Sequence, residues 1–410
     1  MSGKILLAFV MLVMTGGALW AQTPKAPEGD TGIASKYLGD VGIANDPSVI
    51  YATSFDDGIK APLRKNRKGV SILSDPKIAR TGAHCAQITA TRRKDTGGDL
   101  KIMWENGVEQ CFVRVYVKFH KDTAMPHHFV NIGGHTPTYK YRWGGAAGLR
   151  PPGGQHGAFG TTLEPPKLDK PEGGWHFYTY WHEMRSWQTP HGASDGRRNA
   201  YYGNGFNPDN QRKFVGRGKW ICLEYMVKLN TIGKHDGERA FWIDGKKVGH
   251  WGPGFPIGSW MRATFHTSGF WNKDPKPFEG FSWRSHEMLK INKASLQWYL
   301  SDRTWKQMKV DENIVYFDNF VIAKNYVGPV ATKKAEPKPE PKPGPKNAPA
   351  AGDPEENAKG LDEKEAGRLY QMARRAERMG QRDVAKRLYG QIVEKFPETS
   401  VAEKARARSR

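Results

Sequence analysis

Cysteine is scarce in this chain. Cys85, Cys111 and Cys222 are the only three in 410 residues, and their spacing fits no zinc motif. In an exported chain they allow one disulfide with one leftover thiol; each also sits in a strand-like stretch, where all three would be buried thiols. Long apolar runs are equally rare. The one example, Ile5 to Met14, is short for a membrane span of roughly twenty residues. Between residues 47 and 329 no long stretch keeps a convincing helical period. Three catalytic patterns are missing too. There is no Glu-x-Asp-x-x-Glu row for a retaining glucanase, and Glu183 and Glu224 fall on different strands. There is no Gly-x-Ser-x-Gly elbow. The histidines lack His-x-x-x-His spacing with a nearby third ligand, so zinc is not indicated by the sequence.

What is present starts with "MSGKILLAFVMLVMTGGALWAQTP". Lys4, the apolar run and the small residues before Ala21 read as a secretory signal cleaved after residue 21. A secreted, periplasmic or cell-envelope location follows, with no membrane span after cleavage. Residues 22–46 are small and polar, the composition of a flexible lead-in. The formal net charge is +21, and residues 331–410 account for only +6 of it. The positive field therefore belongs to the main body and attracts polyanions. Outside the cell these are acidic polysaccharides or anionic envelope surfaces rather than nucleic acid.

Residues 47–329 alternate in short runs separated by Gly, Pro, Asn and Asp, the signature of an all-β sandwich or barrel. "CFVRVYVKFH" puts Val113, Val115, Val117 and Phe119 on one face, with Arg114, Tyr116, Lys118 and His120 on the other. "WICLEYMVKLN" puts Ile221, Leu223, Tyr225, Val227 and Leu229 on one face. "RAFWIDGKKVGHW" reads as a hairpin turning at Asp244-Gly245. Long loops at 132–173, 186–218 and 252–288 are of the kind that carry function. A Pro/Lys/Glu-rich linker follows at 330–360. From 361 to 410, Met372, Ala376, Ala385, Leu388, Tyr389 and Ile392 recur at helical spacing around Gly380 and stop at Pro397. That predicts a helical hairpin resembling one tetratricopeptide repeat, a candidate protein-docking tail.

The chemistry centres on "GWHFYTYWHEM". An extended chain turns Trp175, Phe177, Thr179 and Trp181 one way, and His176, Tyr178, Tyr180 and His182 the other. The polar row Arg114, Tyr116, Lys118 and His120, together with His127, His128, Arg198, Tyr201 and Tyr202, would extend it if the strands are neighbours. Such a face suits an acidic glycan: rings stack on sugars, and Arg or Lys attracts carboxylate or sulfate. It would also suit β-elimination of a uronic-acid polymer. That reaction needs a group to neutralise the carboxylate (Arg114, Arg150 or His128) and an acid and base at C5 and the leaving oxygen (His176, His182 or Tyr180, beside Tyr178).

Three stretches resemble the concanavalin A-like lectin/glucanase jelly rolls of the alginate- and glucuronan-lyase type. They are "WICLEYMVKLNTIGKHDGERAFWIDGKKV" (220–248), the closing "IVYFDNFVIAKNYVGP" (314–329) and the opening "YATSFDDG". The resemblance spans about 47–329. It implies a jelly-roll β-sandwich, no required cofactor, and a groove for an acidic polysaccharide. It also suggests a structural calcium held by oxygens such as those of Asp56 and Asp318. Those lyases carry a Gly-Gly-Lys-Leu-Pro-Gly-Leu stretch. This chain has Gly133-Gly134-His135 or Gly144 to Arg150 in its place, so His135 or Arg150 would stand where the lysine is lost. Two readings compete: an exported polysaccharide lyase, and a non-catalytic glycan-binding or envelope scaffold module with a helical interaction tail.

Overall fold

The computed structural model describes residues 26–66, 69–123, 126–142, 145–165, 174–208, 217–307 and 310–332. It also describes part of 363–381 and all of 382–409. The expected signal, most of the linker, and Met372, Ala376 and Gly380 lie outside the described residues. The chain forms two compact units, one up to Glu336 and one from Pro337.

The first unit is a two-sheet β-sandwich. In chain order its strands are β1 (Val49–Thr53), β2 (Arg64–Asn66), β3 (Val70–Ser74), β4 (His84–Thr91), β5 (Gly97–Val108) and β6 (Gln110–Phe119). Then come β7 (His128–His135), β8 (Ala158–Glu164), β9 (His176–Tyr180), β10 (Asn204–Phe206), β11 (Trp220–Lys228) and β12 (Glu238–Ile243). The last are β13 (Lys246–Trp251), β14 (Ile257–Met261), β15 (Thr264–His266), β16 (Lys276–Pro277), β17 (Ile291–Tyr299) and β18 (Glu312–Ala323). A short helix, α1 (Asp302–Gln307), precedes β18.

One sheet runs β13-β12-β11-β6-β18-β4-β3, with β1 also on β18; the other runs β16-β14-β15-β10-β9-β8-β7-β17-β5-β2. The pairings are antiparallel except β10 with β15. The jelly-roll architecture expected from the sequence is therefore present. Alternation explains the core. Val113, Val115, Val117 and Phe119 of β6, and Ile221, Leu223, Tyr225 and Val227 of β11, meet Phe129, Ile132, Phe177, Leu296 and Trp298 of the facing sheet. The β12–β13 hairpin turns at Asp244 (φ 49°) and Gly245 (φ 73°), the two left-handed positions a two-residue hairpin of this type requires. The long loops carry β8, β10, β14, β15 and β16, which extend one sheet into a broad surface.

The lead-in is not loose. From Ala26 onward it makes three short 3-10 turns over the outer face of the eight-stranded sheet. Ile33, Ala34 and Ile43 pack on Phe112, Met226, Trp242 and Tyr326. The Ile33 and Ala34 amides donate to the carbonyls of Tyr326 (3.0 Å) and Val327 (2.8 Å). Polar composition hid these apolar anchors.

The second unit contains α2 (Arg382–Lys395) and α3 (Ser400–Ser409) beside shorter helical pieces. Ala366, Ala373, Ala385, Tyr389, Ile392, Ala402 and Ala405 form its core. The second helix of the expected hairpin stops before Pro397, as the pattern requires. A further helix follows it that the sequence reading had not placed, and a tetratricopeptide repeat is not established.

Candidate functional site

The outward face of the ten-stranded sheet is built by strict alternation along five strands. On β9 and the residues flanking it, Trp175, Phe177 and Trp181 are buried in the core, while His176, Tyr178 and Tyr180 are half-buried on the open side. Cross-strand register then sets two polar rows. Lys293 of β17 stands opposite Gly133 of β7, Gly133 opposite Gly160 of β8, and Gly160 opposite Tyr180. In the next row Lys101, Ser295, Asn131, Thr162 and Tyr178 are successive partners. Between Lys293 and Tyr180 the two intervening residues of the row are glycines, with the Lys293 chain over Gly133 and the Asn131 amide beside Gly160. Three strand spacings separate the Lys293 and Tyr180 backbones, about 14 Å.

Electrostatics distinguish the residues of this face. The Tyr178 and Tyr180 hydroxyls are 3.2 Å apart. Burial raises both phenols, their mutual hydrogen bond couples them, and the Gly203 backbone partly offsets the rise at each. Gly203 is needed at this contact, because a Cβ there would lie 2.5 Å from the Tyr178 ring. Burial, with Lys101 nearby, pushes the Lys293 ammonium down to about 8. His135 sits at the end of β7. Its Nδ1 lies 3.2 Å from the Thr136 carbonyl, and burial holds the ring below its ordinary pKa. With Nδ1–H donating there, Nε2 keeps its lone pair and has no partner among the described residues.

One end of the face holds a polar cluster. The Glu164 carboxylate, almost fully buried, faces three imidazoles: His128 Nδ1 at 3.3 Å, His176 Nε2 at 3.2 Å and His127 Nδ1 at 3.7 Å. Burial opposes ionisation of Glu164, but the imidazole hydrogen bonds outweigh it and hold the carboxyl far below its ordinary range. The His127 and His128 rings stack at 4.2 Å, and Tyr178 packs against both.

The structure gathers some of the sequence candidates and separates others. His128, His176, Tyr178 and Tyr180 share the open face. His182 lies beyond the strand end, its Nε2 3.2 Å from Ser282 Oγ and its ring against Gly153. Burial lowers its pKa. Arg150 stacks on Tyr201 at 5.1 Å. Both line a cavity of about 750 Å³ together with Tyr139, Lys140, Arg197 and Arg198. Tyr202 is exposed beside it.

Arg114, Tyr116 and Lys118 do not extend the groove. They lie on β6, in the opposite sheet. Arg114 is fully buried under the lead-in and paired with Asp40 at 2.5 Å. Tyr116 is buried too, and its hydroxyl accepts the Val330 amide at 3.0 Å. Lys118 Nζ lies over Trp220 at 5.9 Å. The two sheets of a sandwich alternate in the same way, so local pattern could not tell which one a strand joins. The Asp56 carboxylate accepts the Ala83 and His84 amides, and that of Asp318 accepts those of Arg80, Thr81 and Asn319. Both side chains thereby brace turns. The three cysteines are free and buried.

Sequence reading missed Lys293, Asn131 and Glu164. "INKASLQWY" alternates plainly, with Ala294, Leu296 and Trp298 inward, so Lys293 was detectable. Its position beside Gly133 was not, because that depends on pairing across 160 residues.

Neither a protein-family model nor a curated protein matches the sequence. Among solved structures the chain is similar to an alginate lyase from a Chlorella virus, at 14% identity and TM-score 0.42, over 67% of this chain and 99% of that one. It is also similar to an alginate lyase from Aplysia kurodai, at 13% identity and TM-score 0.38, over 64% and 91%. A third is the endo-β-1,4-glucuronan lyase of the fungus Trichoderma reesei, at 10% identity and TM-score 0.33, over 68% and 92%.

Proposed function

We propose that the open face of the ten-stranded sheet binds an acidic polysaccharide and cleaves it by β-elimination. The observation that carries this reading is the row Lys293–Gly133–Gly160–Tyr180, with Asn131 and Tyr178 in the row beside it. The two glycines let a sugar ring approach the sheet. Lys293 faces its carboxylate from one side, which lowers the barrier to losing the C5 proton. The tyrosine pair faces it from the other. In this reading Tyr178 takes the C5 proton, and Tyr180 delivers its own proton to the departing glycosidic oxygen. The cationic cavity around Arg150, Arg197 and Arg198 lies on the loops of the same domain and suits a further acidic sugar. The +21 net charge supports the same class of partner.

Export, on the N-terminal reading, puts the protein where such polymers occur, and the helical tail serves as a protein-docking element. A binding-only role is the second reading, favoured by His135 standing after Gly133-Gly134 where the lyase pattern has lysine. Incubation with alginate, glucuronan and sulfated glycans, following the absorbance of unsaturated products, separates the two. Saturable binding of a uronate polymer with no unsaturated product removes the lyase reading. No binding of any acidic glycan removes both.

A further inference from the structure

The His/Glu cluster at the end of the sheet has a geometry that hydrogen bonding alone does not require. We propose that His127, His128 and Glu164 bind one divalent transition-metal ion, with His176 holding the carboxylate from its other side.

The ligand atoms of the three residues all lie within 4.8 Å of one another. His128 Nδ1 is 3.3 Å and His127 Nδ1 3.7 Å from the carboxylate oxygens. Ligands about 2.0–2.1 Å from a tetrahedral ion are about 3.3–3.4 Å apart, a spacing the His128–Glu164 pair already has, and the other separations, at most 4.8 Å, have no more than about 1.5 Å to close. Two nitrogens and one carboxylate suit zinc, cobalt or nickel better than calcium or magnesium.

The backbone is arranged to produce this set. Successive residues of a strand face opposite ways, yet His127 and His128 turn their rings to the same carboxylate. His127 stands just before β7, its amide donating to the Tyr299 carbonyl at 2.8 Å. The β7–β17 ladder shifts register between Leu296 and Tyr299. The rings end up stacked 4.2 Å apart, and His128 also stacks on Tyr299.

Charge makes the same case. The Glu164 side chain is 4% exposed, and among the described residues its ion pairs are all with imidazoles. A divalent ion at this point would place a full positive charge beside the buried carboxylate. His176 Nε2, 3.2 Å from the carboxylate, plays the part of the outer hydrogen-bond partner that orients metal-binding carboxylates. The His127 and His128 side chains are 41% and 33% exposed, so an ion reaches the site from solvent and keeps open positions on that side.

The test uses the full chain after chelator treatment, with Zn²⁺ titrated calorimetrically and Co²⁺ followed by its visible absorption. The expected result is about one ion per chain, with affinity falling at least tenfold in Glu164→Gln and in His128→Ala. His120→Ala, remote from the cluster, should bind like the parent. His127 is half-exposed, so His127→Ala keeps the fold and reads the same site if His128→Ala does not. Circular dichroism and thermal melting confirm folding of each variant. No saturable binding, or binding unchanged in folded His127→Ala and Glu164→Gln, overturns the proposal. Both results are independent of glycan cleavage.

Discussion

Lys293 of β17 lies across Gly133 of β7: the two residues are cross-strand partners, and a Cβ added to the glycine would sit 3.4 Å from the lysine Cε. The same Cβ would lie 2.6 Å from the Phe159 carbonyl oxygen, so any side chain there shifts the β7–β8 backbone under the lysine. Gly133→Val should therefore disturb the groove floor and weaken uronate binding at least as much as Lys293→Met. A loss of roughly tenfold, the size of one charge-assisted contact, is expected in calorimetric titration with alginate or glucuronan oligosaccharides. Unchanged affinity in both variants would remove Lys293 from the site.

The same lysine sets a pH dependence. Its pKa is about 8 in the fold against 10.5 ordinarily. The unfolded chain thus keeps the proton to higher pH than the folded one, and stability rises with pH between about 8 and 10.5. Polyanion binding runs the other way and falls as pH rises through about 8. Denaturant titrations across this range should show the rise in the parent and a flatter profile in Lys293→Met.

Tyr178 and Tyr180 test the chemistry separately from binding. Tyr180→Phe keeps the ring and removes the proton donor, so cleavage should fall by about 10²–10⁴ with oligosaccharide affinity nearly unchanged. Tyr178→Phe should do the same, with a shift in the pH–rate profile that Tyr180→Phe does not share. Equal loss of binding and cleavage would mean the pair only shapes the groove.

On the outer sheet, Asp40→Ala leaves the Arg114 guanidinium buried without its carboxylate. Breaking a buried pair from one side costs about 3–5 kcal/mol, so a large drop in the denaturation midpoint is expected. Arg114 lies in the sheet opposite the groove, and conservative change at Arg114 or Asp40 should leave glycan affinity alone once the protein is folded. A selective loss of affinity would restore Arg114 to the binding face.

How far the sequence could be read depended on the range of the interaction. The face of β9 was legible because side-chain direction has a period of two, a property of the strand itself. The assignment of Arg114 to the same surface failed because alternation is identical in both sheets and pairing partners are distant in sequence. Glu164 escaped notice for the same reason: its imidazoles come from residues 127, 128 and 176 on neighbouring strands. The lead-in was misjudged because Ile33 and Ile43 are isolated in a polar stretch, and two anchors leave no periodic signal.

The thiols give a simple check. Cys85 and Cys222 are buried and pushed up to about 12, and Cys111 is buried as well. A thiol reagent should label none in the native protein and three after unfolding without reductant. Fewer than three would mean that a disulfide forms.

Arg239 poses the sharpest question about the core beneath the groove. It is fully buried between the sheets, with its guanidinium 3.9 Å from the Phe177 ring centre and 4.3 Å from that of Phe206. It donates to Thr161 Oγ1 at 2.9 Å and Thr179 Oγ1 at 2.6 Å, and no ion pair with a carboxylate is found among the described residues. Burial holds its pKa well below the ordinary value. Aromatic faces offset part of the desolvation, about 2 kcal/mol or more in a dry site, but not the cost of an unpaired buried cation. Arg239→Met fills much of the same volume without the charge. The Thr161 and Thr179 hydroxyls, already 3.0 Å apart, can then bond each other. Arg239→Met should therefore match or exceed the parent in stability, while Arg239→Ala should lose about 2–5 kcal/mol to the cavity it opens. Urea unfolding of the two variants decides it. If Arg239→Met is as damaging as Arg239→Ala, the charge itself holds the strands that carry Tyr178 and Tyr180, through contacts that a neutral chain cannot replace.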